Sequence, residues 1–145
     1  MVIVKGKSVL FVDDESSVLS VMENLFRIHG YLPRCTLDPL EALDIVKSEG
    51  VRVCFVDLRM PAMDGMELCQ RIKQIEPAAQ VFALSAFANA YTPEQYREAG
   101  LDGTFHKPFK IDELLAACRG AFVKLGQWDR QQAAKPTQAP PLSAP

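Results

Sequence analysis

The chain has 145 residues, 48% apolar and 23% charged, which suits one ordinary domain with a core that needs no metal or disulfide. Sixteen basic against eighteen acidic side chains give a net charge of -2, which excludes the strongly basic footprint of a dedicated nucleic-acid binder and argues against electrostatic docking on anionic membranes. No apolar run nears the ~20 residues of a membrane span, the opening MVIVKGKSVLFV is not laid out as a signal peptide, and the four cysteines form no CxxC pair. The expectation is a reduced, soluble, cytoplasmic protein.

Short β-branched runs alternate with helical patterns along the chain. Residues Ser8 to Val12 form a continuous apolar run, as expected of a parallel strand covered on both faces. From Glu15 to His29, the residues Val18, Leu19, Met22, Leu25 and Phe26 recur at three- and four-residue steps, which predicts an amphipathic helix closed by Gly30. A second strand near Tyr31 to Cys35 carries Pro33 and fits a sheet edge. Asp38, Pro39 and Glu41 open the next helix, which stops at Gly50.

Val51 to Val56 is the most apolar strand, and it runs straight into Asp57. Asp64 caps a third helix that ends before Pro77, and Gln80 to Leu84 makes a fourth strand. Thr92 and Gln95 stand at capping-box spacing and start a short helix that stops at Gly100. Thr104 to His106 is a brief fifth strand, and Ile111 to about Leu125 a last helix. Gln, Ala and Pro dominate after Trp128, so a domain over 1–126 is expected, with 127–145 a disordered tail or the start of a linker. Five strand–helix repeats predict an α/β fold: one five-stranded parallel sheet between two helical layers, doubly wound in the flavodoxin manner.

Ligands of such sheets bind at the carboxyl ends of the strands. Those ends carry Asp13 and Asp14, then Asp57, Ser85 and Lys107. Singly, each has a bland explanation as a cap, a turn residue or a solvated lysine. Together they differ, because crowded carboxylates repel unless a cation sits among them. Oxygen-only ligands suit a hard ion such as Mg²⁺.

The set Asp13-Asp14, Asp57, Ser85 and Lys107-Pro108 resembles the receiver domain of two-component response regulators, of the chemotaxis-regulator type. So do DLRMPAMDG (Asp57 to Gly65) and FHKPF (Phe105 to Phe109), and the likeness covers about residues 7 to 125. The resemblance implies that Asp57 is the phosphoryl acceptor in a phosphorelay. It implies that Asp14 and Asp57 ligate Mg²⁺ directly (Mn²⁺ can substitute), Asp13 through water and Arg59 through its backbone carbonyl. Ser85 would bond a phosphoryl oxygen, Lys107 would pair with the carboxylate or phosphoryl group, and the Lys107–Pro108 bond would be cis. The implied partner is a sensor histidine kinase or a phosphotransfer protein. A homodimer on phosphorylation is implied too, through the fourth helix, fifth strand and fifth helix.

Two positions depart from the family pattern. The aromatic residue expected three places before the lysine is Thr104, while Phe105 should face the other side of the sheet by strand alternation. Arg59 and Phe87, both bulky, flank the acceptor. Ser85, Thr104 and Phe87 are therefore the expected switch residues, with the loop from Ser85 to Thr92 as the moving part. A haloacid-dehalogenase-type phosphatase would need an aspartate where Arg59 stands, and Gly6-Lys7-Ser8 lacks the rest of a phosphate loop. The chain is thus expected to be no enzyme beyond its own phosphorylation and dephosphorylation. The alternative is a receiver-like interaction module that works without phosphorylation, and Thr104 is its main support.

Overall fold

Each apolar run forms a strand, and each amphipathic stretch forms the helix that follows it. The computed structural model describes residues 7–86 and 91–134. In chain order the elements are β1 (Ser8–Val12), α1 (Ser16–Ile28), β2 (Leu32–Thr36), α2 (Pro39–Glu49), β3 (Val53–Asp57), α3 (Gly65–Ile75), β4 (Gln80–Ser85), α4 (Pro93–Glu98), β5 (Gly103–His106) and α5 (Ile111–Ala134). The strands form one parallel sheet in the order β2-β1-β3-β4-β5, so Pro33 lies on an edge strand as expected.

Strand alternation sorts the core into two halves. Leu10, Val12, Cys54, Val56, Val81 and Ala83 face α2 and α3, with Tyr91 and Tyr96 packed on the same side. Val9, Phe11, Val53, Phe55, Phe82 and Leu84 face α1 and α5. The sheet therefore lies between two helical layers, as the repeat pattern required. All four cysteines are free thiols, and Cys54, Cys69 and Cys118 are buried as small hydrophobes.

The caps fall where the sequence put them. Asp38 accepts from the Leu40 amide, Asp64 from that of Glu67, and Thr92 and Gln95 form a complete capping box. One boundary is different. The helix expected to end near Leu125 continues to Ala134, so residues 127–134 are helical rather than part of a disordered tail. Arg52, just before β3, explains the extension: its guanidinium holds Asp129 through two bonds of 2.9 and 3.0 Å and lies 5.6 Å from the centre of the Trp128 ring. Among the described residues, no helix is long and apolar enough to cross a membrane.

Candidate functional site: an acidic pocket at the strand ends

The acidic residues reach one place because β1 and β3 are paired in register, with Val12 opposite Val56. Asp13 and Asp57 follow directly, so their side chains leave adjacent strand ends on the same rim. The carboxylates of Asp13, Asp14 and Asp57 each offer an oxygen within 4.8 Å of the others. Asp13 and Asp57 are buried, at 1% and 5% exposure, whereas Asp14 is exposed. Neither of the first two aspartates is occupied in capping α1. The cap is Glu15, which makes no side-chain cap bond, and its amide donates to Asp13 Oδ1 at 2.9 Å.

Lys107 is the cation of the cluster. Its Nζ donates to Asp13 Oδ2 at 2.9 Å and lies 3.7 Å from Asp57 Oδ2. The Lys107–Pro108 bond is cis, as expected from the sequence, and the Lys107 amide donates to the Ser85 carbonyl at 2.7 Å. Ser85, at 3% exposure, ends β4 beside the acidic pair. The Arg59 amide donates to Asp57 Oδ1 at 3.2 Å. Gly65 lets α3 come close behind the site: a Cβ there would lie 2.5 Å from the Asp57 carbonyl oxygen, so no larger residue fits.

The electrostatics follow from this crowding. Burial pushes the Asp57 carboxyl up to about 6, and the charge of Asp13 and the bond that protonated Asp57 donates to Asp14 push in the same direction. The Arg59 amide and the Lys107 ammonium oppose the rise without cancelling it. For Lys107, burial is the largest single influence and lowers its pKa. The bond and charge of Asp13, together with Asp57, outweigh it and leave the ammonium more firmly protonated than usual. A buried carboxylate pair, one exposed carboxylate and one fixed ammonium make a pocket short of positive charge. Its hard oxygen donors fit a small divalent ion.

Thr104 stands apart from this pocket. It lines a cleft between α4 and β5 with Tyr91, Tyr96, Arg97 and His106. Phe105 turns to the other face and packs near Phe82 and Phe55, with ring centres 6.2 and 6.5 Å away. Phe87 lies outside the described residues, as do residues 88–90 of the loop expected to move. Tyr91, the other apolar residue expected to move in that loop, is a described neighbour of the site. Tyr91 lines the groove at its mouth together with Asp14, Arg59, Met60, Pro61 and Asp64. Its place next to the Thr92 cap fixes where the chain turns into α4.

With this geometry in view, the comparisons with known proteins agree with one another. The family model for the response regulator receiver domain matches residues 9–119. The chain belongs to that family, the receiver domains of two-component systems, in which phosphorylation and Mg²⁺ binding are typical. It is 31% identical over 114 residues to sporulation initiation phosphotransferase F of Bacillus subtilis, covering 79% of this chain and 92% of that protein. It is 30% identical over 111 residues to response regulator MprA of Mycobacterium avium, but covers only 49% of that protein, so it spans about half of that relative's length. The solution structure of the beryllofluoride-activated NtrC4 receiver domain dimer superposes with a TM-score of 0.76 at 28% identity, covering 81% of this chain and 98% of that one.

Proposed function

We propose that Asp57 accepts a phosphoryl group from a phosphohistidine of a sensor histidine kinase or phosphotransfer protein. In this step a carboxylate oxygen of Asp57 bonds to phosphorus as the phosphorus–nitrogen bond breaks. The bonding pair stays with the departing imidazole, and Asp57 becomes an acyl phosphate. The observation that carries this reading is the meeting of three carboxylates within 4.8 Å beside the Lys107 ammonium.

Within that reading, Asp14 and Asp57 ligate Mg²⁺ directly, Asp13 acts through water, and the Arg59 carbonyl completes the protein's share. Mn²⁺, which accepts the same oxygen donors, substitutes. When bound, the ion offsets the negative charge that gathers on the phosphoryl oxygens. The Ser85 hydroxyl donates to one of those oxygens, and Lys107 moves its remaining donors from Asp57 toward another. Hydrolysis of the acyl phosphate by water resets the site, so the chain acts on no substrate but itself.

A donor has a seat beside the pocket. Val18, Val21 and Met22 of α1 meet Pro108 and Phe109 next to Lys107 in an apolar groove, and Val21 is 52% exposed. The output is a change in partner binding at α4, β5 and α5, including a homodimer of phosphorylated chains. The receiver unit spans residues 1–126, with 127–145 a tail or the start of a linker whose first part, to Ala134, continues α5. The setting is the cytoplasm, where the kinase domains of sensors meet their receivers.

Incubation with acetyl phosphate and Mg²⁺, followed by intact-mass spectrometry, tests this reading. One phosphate adduct is expected, and Asp14→Ala should lose both the adduct and the heat of Mg²⁺ binding. Full phosphorylation in excess chelator would contradict the metal assignment.

A further inference from the structure

Two hollows on this molecule share one side chain. The groove at the mouth of the acidic site and the cleft between α4 and β5 are each close to 400 Å³, with values of 390 and 400 Å³, and Tyr91 lines both. Its ring stands edge-on to Tyr96, with centres 5.8 Å apart and planes at 70°. Tyr96 also lines the cleft, and its hydroxyl is buried without a hydrogen-bond partner among the described residues.

We propose that Tyr91 is the relay between the acidic site and the α4–β5 cleft, moving its ring when the site is loaded and repacking Tyr96 inside the cleft. This rests on the receiver reading above. Three observations support it. Tyr91 borders the groove beside Asp14 and Arg59, and among the described residues lining the cleft no other reaches that groove. The buried hydroxyl of Tyr96 leaves the present packing incompletely satisfied, and a bistable contact needs such a poorly optimised state. Thr104 is small and β-branched, so it leaves the cleft open for a ring to enter and cannot itself swing far. A side chain that touches two hollows can transfer volume from one to the other without a change in the sheet.

The test uses the full chain labelled with 3-fluorotyrosine, in which only Tyr31, Tyr91 and Tyr96 report. Mg²⁺ with beryllofluoride serves as the probe, and calorimetry confirms saturation in every variant. On loading, the resonances of Tyr91 and Tyr96 should shift together, while Tyr31, packed on Phe26 and Phe122, should stay in place. In Tyr91→Ala at saturation the Tyr96 shift should be lost, and in Tyr91→Phe, which keeps the ring, it should remain. An undiminished Tyr96 shift in saturated Tyr91→Ala overturns the relay and leaves the receiver reading intact. Absence of beryllofluoride binding to the unmodified chain overturns the receiver reading, and the relay with it.

Discussion

The two flanks of the sheet are built differently. Against α1 and α5, Phe11, Phe26, Phe55 and Phe82 form a continuous aromatic stack, with neighbouring ring centres 4.7 to 5.9 Å apart. On the side of α4 the described residues hold nothing comparable: none of Pro93–Glu98 is buried, and a cleft lies beside Thr104. β1 and β3, which deliver the acidic residues, are pinned by the stack, whereas the α4 flank is thinly packed. Segments of low local stability are where proteins place their moving parts. On the reading proposed above, the well-packed strands hold the chemistry and the thinly packed α4 flank reports it.

The largest effect should come from the aromatic side. Phe55 is fully buried and touches four other rings. Replacing it by alanine should cost about 3–5 kcal/mol of stability in urea unfolding. A loss under about 1 kcal/mol would mean that the stack is not the anchor.

The next effect concerns charge. Folded Asp57 holds its proton to about pH 6, against 3.8 as the ordinary value. Its contribution to stability is therefore full below pH 3.8 and is lost as the pH rises through about 6. Asn carries no such penalty. Metal-free Asp57→Asn should gain about 1–3 kcal/mol over the unmodified chain at pH 7 and almost nothing at pH 4. The same proton competes with Mg²⁺, so affinity for the ion should fall as the pH drops through that range. Equal gains at both pH values would show that Asp57 is not strained by its neighbours.

The smallest effect lies on the loose side. Tyr96→Phe deletes a buried hydroxyl that has no partner among the described residues. Stability should be unchanged or raised by up to about 1 kcal/mol, and a clear loss would show that the hydroxyl is bonded.

Much of this was legible before the structure. β1, β3 and β4 announced themselves because buried parallel strands are continuous apolar runs, and the acidic site followed because the first, third, fourth and fifth strands each end in or just before a candidate site residue. The two aspartates after Val12 and the one after Val56 needed only the rule that ligands gather at strand ends. What stayed hidden depended on single long-range contacts. The extension of α5 to Ala134 carries the contact of Arg52 with Asp129, residues 77 apart in sequence, and Gln127 to Ala134 has no apolar period to reveal it. Tyr91 looked like one aromatic of a loop, because its place between two hollows exists only after α4 is set against β5. The pairing of Lys107 with Asp13 at 2.9 Å, nearer than Asp57, was equally beyond a reading by motif.

The central claim is that Asp57 carries the phosphoryl group. Borohydride reduces an acyl phosphate of aspartate to homoserine, which marks the modified residue permanently. After phosphorylation by acetyl phosphate with Mg²⁺, reduction and peptide mapping should find homoserine at position 57 and intact aspartate at positions 13 and 14. Homoserine at 13 or 14, or an adduct that persists in Asp57→Asn, would contradict the account.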